Sequence, residues 1–312
     1  MKRPPHPALL YGALVLHTFL SAGTYLVGKR ALAEIPPLTL GLLRFAIASV
    51  CLVGLLYARL PRGQRLPPRD ERRRLWGLAF IAVPLNQGFF LVGLSLSTAA
   101  HAALLYSLTP LFVLLLAWLA LGESLGARGA IGLLFALGGT VFVLLQRGLD
   151  LSGGPLLGDL LLVFAVLAWA AYTTGGRKVV ARHGPLPTTA WSLVGGTLLF
   201  LPVGLGTLAL PSTRDQLAHA SGAAWGGIAY LSILTSVVAY LLWYWALAHL
   251  PAARVAVFSN LQPLATAVLA HFTLGEQITP QFIGGALVVM AGVALAQTGP
   301  AKVQPAGSPP DP

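Results

Sequence analysis

Side chains able to bind or transform a solute are few in the apolar stretches of this 312-residue chain, and most gather around prolines. Tyr106, Ser107 and Thr109 flank Pro110, and Ser259, Asn260 and Gln262 flank Pro263. Asn86 and Gln87 follow Pro84, and His17 stands alone in the middle of the first stretch. Amides, hydroxyls and an imidazole can hold and orient a polar solute. A proline inside an apolar helix removes a donor and frees a carbonyl. Two readings follow. The polar groups line a cavity between two kinked helices, or they satisfy the kinks and bond helix to helix. Polar side chains at mid-membrane are costly and mark functional sites. The candidate set is therefore Asn260, Gln262, Asn86, Gln87, Tyr106, Ser107 and His17.

Aromatic rings extend it. Trp169 and Tyr172 in the sixth stretch and Tyr240 in the eighth offer faces for an apolar or aromatic solute. Trp243, Tyr244 and Trp245 lie toward the end of their stretch and read instead as interface anchors. Arg44 is the one base clearly within a stretch, roughly 6 Å from its centre by a rise of 1.5 Å per residue. Pairing with Asp159, or snorkelling, is the preferred reading, with contact to a solute carboxylate as the alternative. Arg44 joins the candidate set on that second ground. Glu123 and Glu276 sit in Gly-Glu breaks, where a carboxylate can serve the N-terminus of the next helix.

Other chemistry is not supported. There is no phosphate-cradling Gly loop with its Lys, so ATP drive is not expected. The histidines lack metal-ligand spacing, and no metal or cofactor is expected. A single cysteine, Cys51, rules out an intrachain disulfide. No Asp or Glu falls at the centre of a stretch, so any movement of a solute is expected to be uncoupled and not driven through a carboxylate proton relay. Coupling through His17 is the alternative. No enzyme motif is found; a membrane enzyme acting on lipid-linked intermediates is the reading from a different class.

The elements that must position these groups are membrane helices. The chain is 56% hydrophobic and 9% charged, against about 25% charged in a soluble domain. Lipid is the solvent that such a surface needs, so the net charge of +11 speaks for orientation rather than nucleic acid. Apolar stretches lie at 8–27, 38–58, 75–95, 99–121, 127–145, 155–174, 188–208, 224–247, 251–273 and 280–297. Each approaches the roughly 20 residues that cross a bilayer core. The first is too long for a cleaved leader. With the N-terminus inside, 15 Lys and Arg fall inside and 4 outside. This asymmetry places the chain in a bacterial inner membrane with both termini cytoplasmic. The Pro-, Gly- and Ser-rich tail 298–312 reads as disordered.

The chain also contains a repeat. Residues 103–143 fall on 256–296, with Pro110 on Pro263, Gly122-Glu123 on Gly275-Glu276, Gly132 on Gly285 and Gly139 on Gly292. An odd number of helices separates the copies, so the halves 8–145 and 155–297 have inverted topology. Such pairs carry a solute site near the midplane between them. The expected fold is all-α, ten membrane helices in two inverted five-helix repeats around a central cavity. Its partners are membrane lipid and a small-molecule solute; a homodimer stays an open alternative.

These residues resemble a known family. The Arg44-Phe45 pair, the Pro-centred fourth and ninth stretches, the Gly-Glu breaks and Gln281-x-x-Gly284-Gly285 with Gly292 are similar to ten-helix EamA-type members of the drug/metabolite transporter superfamily. The likeness covers both halves. It departs at Val194-Gly195-Gly196, where no arginine matches Arg44. The resemblance implies export or exchange of small metabolites, often amino acids, through a central cavity.

Overall fold

The computed structural model describes residues 6–121, 127–145 and 154–297. Among these there is no strand. Helices α1 (Pro7–Leu32) and α2 (Pro37–Arg59) are followed by α3 (Arg72–Phe80), a π turn (Ile81–Leu85) and α4 (Asn86–Leu96). The next apolar stretch is broken into α5 (Ala99–Tyr106) and α6 (Thr109–Leu121), and α7 (Ala127–Leu145) follows. Then come α8 (Pro155–His183), α9 (Pro185–Leu208), α10 (Pro211–His219), α11 (Gly222–Ala229), a π segment (Tyr230–Ala239) and α12 (Tyr240–Leu247). The chain closes with α13 (Ala252–Ala256), a 3-10 turn (Val257–Leu261), α14 (Gln262–Leu274) and α15 (Pro280–Gln297).

Local chemistry sets these boundaries. Helices α1, α2, α8, α9 and α10 each start on a proline, whose missing N–H costs nothing in a first turn. Helix α8 runs to His183, past the expected 174, because nothing stops it before Gly184, whose φ of 83° ends it. Arg177, Lys178 and Arg182 thus lie on its last turns and not in a loop. Pro110 and Pro263 do not kink continuous helices as expected. Each is the second residue of a new helix, after a break at 107–108 or 257–261. Pro84 does lie inside a helical stretch, where a π turn absorbs it. Helix α10, in the polar 209–221 region, was not foreseen.

Among the described residues seven helices are long and apolar enough to cross a membrane, and two shorter apolar ones span Ala127–Val143 and Pro280–Leu295. Phe19, Val50, Leu134, Phe164 and Phe272 lie exposed on the outside of the bundle, as lipid contact requires. Inside, glycines let backbones meet. A Cβ on Gly292 of α15 would stand 2.5 Å from Ala136 N and 2.7 Å from Gly132 O of α7. A Cβ on Gly93 of α4 would stand 2.8 Å from Gly158 O of α8. Trp243 and Tyr244, expected at an interface, are instead fully buried against α8; Trp243 donates to Thr173 Oγ1 at 3.2 Å.

The connections gather at two ends. At one, Glu34 accepts from Ser221 N at 2.6 Å and Ser221 Oγ at 2.8 Å. At the other, Arg182 pairs with Glu71 at 2.6 Å and Trp191 Nε1 donates to Arg65 O at 3.0 Å. Glu123 and the tail 298–312 lie outside the described residues.

Candidate functional site

A small cavity of about 60 Å³ lies where α1, α2, α4, α5, α8, α12, α14 and the segments beside them converge. The interruptions of the helices face it. The π segment supplies Thr235 and Ala239, the 3-10 turn Ser259, and the end of α5 Tyr106. Tyr106 and Ser259 are equivalent positions of the repeat, 153 residues apart like Pro110 and Pro263.

The guanidinium of Arg44 is 2% exposed and lines this cavity. Its Nε donates to Ser236 Oγ at 2.7 Å, one terminal nitrogen to Gln87 Oε1 at 2.9 Å and the other to Thr235 Oγ1 at 2.9 Å. The expected pairing with Asp159 is overturned: Asp159 is buried elsewhere, accepting from Ser97 Oγ and lying 2.9 Å from His101 Nδ1. Among the described residues no carboxylate lies within 4 Å of Arg44. Nor does it snorkel, since its polar end is held inside the bundle.

From Gln87 a hydrogen-bond chain runs on. Its Nε2 donates to Asn86 Oδ1 and to Tyr240 OH at 3.2 Å. Asn86 Nδ2 donates to Tyr106 OH at 3.0 Å and to Ala165 O at 2.7 Å. Tyr25 OH donates to Gln262 Oε1 at 2.8 Å. His17 Nδ1 lies 2.9 Å from Ala239 O, a carbonyl that can only accept, so Nδ1 carries the proton. Nε2 lies 3.3 Å from Ser21 Oγ. Trp169 meets Tyr240 edge to face at 5.2 Å, and Phe90 meets Tyr106 at 5.5 Å.

Seven members of the candidate set line the cavity: His17, Arg44, Gln87, Tyr106, Trp169, Tyr240 and Gln262. The other four do not. Asn86 is wholly buried behind Gln87, and Tyr172 lies behind Trp169. Ser107 is buried and spends its hydroxyl on Leu104 O at 2.6 Å, which serves the helix break. Asn260 is half-buried, its Oδ1 without a hydrogen-bond partner. Sequence reasoning missed Ser21, Thr24, Tyr25, Phe90 and Thr235 as lining groups. Tyr25 carried a signal, because Ala22-Gly23-Thr24-Tyr25 weakly matches Ala168-Trp169-Ala170-Ala171-Tyr172 at the start of the second half. Thr235 carried none, since hydroxyls are common in apolar helices.

A larger cavity of about 870 Å³ lies at the end of the bundle that carries Glu34 and Ser97. Lys29, Arg30, Tyr230 and Glu276 line it. Glu276 does not serve the next helix in the chain, as the sequence suggested. It accepts the N–H groups of Ala99 and Ala100, at the start of α5 in the other half.

The two halves also match by sequence. The model of the EamA-like transporter family fits residues 8–145 and again 156–298. The chain belongs to the EamA-like transporter family. An uncharacterized transporter of Archaeoglobus fulgidus is 33% identical over 90% of this chain and 95% of its own length. The uncharacterized transporter YyaM of Bacillus subtilis is 28% identical over 92% and 93%. A probable terminal-alkyne amino-acid exporter of Streptantibioticus cattleyicolor is 28% identical over 82% of each chain. A solved crystal structure shares the fold, with TM-score 0.65 at 21% identity over 92% of this chain and 95% of that one. This EamA-like chain is thus a multi-pass membrane transporter and not an enzyme.

Proposed function

We propose that this EamA-like transporter exports or exchanges small amino acid-like, aromatic or amphipathic solutes by alternating access. Its halves, 8–145 and 155–297, are inverted five-helix repeats that give ten membrane helices. It lies in a bacterial inner membrane with both termini cytoplasmic. Membrane lipid and a small-molecule solute are its partners, and nucleic acid is not.

One observation carries the reading: the cavity is walled by both halves, and repeat-equivalent Tyr106 and Ser259 meet there. A rocking motion of one half against the other would open it to either side. Its small volume fits a contracted conformation, and the larger cavity near Glu276 fits an entrance. The separation of Arg59–Arg74 and Arg177–Arg182 from the Glu34–Ser221 end supports the orientation. The Streptantibioticus cattleyicolor relative, named as a probable amino-acid exporter, supports the solute class.

The test is a panel of labelled amino acids and amphipathic compounds in proteoliposomes. Saturable movement of at least one is expected. If none moves while labelled lipid flips between leaflets, the solute-export reading is wrong and lipid is the cargo.

A further inference from the structure

We propose that the solute is a small organic monocarboxylate with an apolar body, held by its carboxylate on Arg44. This rests on the cavity being the transport site.

The argument begins with charge. The Arg44 guanidinium stays protonated in proteins, and here it is buried in an apolar bundle. Its three protein partners, Ser236, Gln87 and Thr235, are all neutral oxygens. A buried cation that lacks a counter-charge is costly, and the structure supplies none within 4 Å among the described residues. The cavity is the open side on which a counter-charge can arrive. These bonds use three of the five guanidinium N–H groups, which leaves one on each terminal nitrogen. Two guanidinium N–H groups set side by side suit the two oxygens of a carboxylate.

The remaining wall describes the rest of the solute. Phe90, Trp169, Tyr240 and Tyr25 present rings to the cavity, which suits an apolar body better than an inorganic anion. Among the described residues no acidic side chain lines it. A solute ammonium would therefore find hydroxyls, amides, ring faces and the His17 imidazole, but no counter-charge. Recognition requires the carboxylate and not the amine, so 2-oxo and 2-hydroxy acids fit as well as amino acids do.

The experiment compares solutes that share one ring and differ at the polar end. Labelled phenyllactate, phenylalanine and phenethylamine are presented to the wild-type protein in proteoliposomes, with phenylalaninamide as competitor. Phenyllactate and phenylalanine should move, phenethylamine at least about tenfold more slowly, and the amide should not compete. Equal movement of amine and acid overturns the carboxylate assignment and leaves the exporter reading standing. If neither these nor leucine, 4-methyl-2-oxopentanoate and isoamylamine move, both readings fall together.

A variant sharpens the assignment. Arg44→Met removes the charge while Thr235 and Ser236 keep their bonds to Leu231 O at 2.7 and 2.9 Å. All three acceptors lose a donor, but only Gln87 Oε1 is left without a hydrogen bond, so the variant should fold, as an unchanged elution profile and melting curve would report. Its preference for acid over amine should drop below about threefold. A folded variant that keeps the wild-type preference overturns the proposal; if it does not fold, the wild-type series decides alone.

Discussion

The Glu276 carboxylate accepts the backbone N–H of Ala99 at 2.6 Å and that of Ala100 at 3.0 Å. These are unpaired donors of the first turn of α5, and Thr98 Oγ1 takes a third, from His101 N, at 3.2 Å. The negative charge also faces the positive end of the helix. The two partners are 177 residues apart, one in each matched half. The contact therefore holds α14 to α5 at the rim of the larger cavity.

Replacing Glu276 by Ala should cost about 1–2 kcal/mol, the range of a lost charged cap. Glu276→Gln keeps one acceptor oxygen and should cost roughly half as much. Denaturant titration of purified protein in mixed micelles measures both. An alanine variant as stable as the wild type would show that water replaces the carboxylate without loss.

The α7–α15 contact offers a paired comparison within one helix. Alanine at Gly292 would drive its Cβ to 2.5 Å from backbone Ala136 N, while at Gly284 a Cβ meets nothing within 4 Å. Both changes gain about the same helix propensity, up to roughly 1 kcal/mol. Gly292→Ala should nevertheless destabilise by about 1–3 kcal/mol through overpacking, and Gly284→Ala should be neutral or stabilising. Equal melting temperatures for the two variants would mean that the helices separate freely here.

These comparisons show what could be read from the chain and what could not. The apolar runs and the repeat marked where helices lie, because lipid imposes a length and a composition on every crossing. Pro110 and Pro263 marked interruptions, but proline chemistry alone does not separate a kink from a fresh helix start. Trp243 and Tyr244 were misplaced because aromatic residues near a helix end suit both a membrane interface and a core. The partner of Arg44 was misjudged for a different reason. Asp159 was the nearest carboxylate by depth, yet depth carries no information about which way a side chain points around its helix. The same gap hid the Glu276–Ala99 contact, which joins two helices that are distant in sequence.

Asp159 is committed to the α4–α5 turn. It accepts from Ser97 Oγ and His101 Nδ1, and the His101 ring stacks on Phe282 at 5.1 Å. Nearby, Lys29 Nζ donates to Leu94 O at 2.9 Å and Ser95 O at 3.1 Å, where α4 ends. Asp159→Ala leaves buried donors without their acceptor and should cost about 3 kcal/mol or more. Asp159→Asn retains an acceptor for Ser97 and should cost less. The ordering is read by thermal unfolding in detergent; an alanine variant milder than the asparagine one would contradict this account of the turn.

Transport is expected to run without a proton gradient. A coupling proton needs a group near the solute that can take it up and release it. Among the described residues no carboxylate lines the central cavity. His17 does line it, but Nδ1 is engaged by Ala239 O and Nε2 by Ser21, so both ring nitrogens have protein partners. Asp159 and His101 form a close acid–imidazole contact, and both serve the α4–α5 turn instead of the cavity. Counterflow of a transported solute in proteoliposomes separates the cases. A gradient of one pH unit is worth about 1.4 kcal/mol, so a proton-coupled carrier would change accumulation about tenfold while an uncoupled one stays within about twofold. Strict dependence on the gradient would defeat this expectation. Loss of that dependence in His17→Gln would then identify His17 as the group that carries the proton.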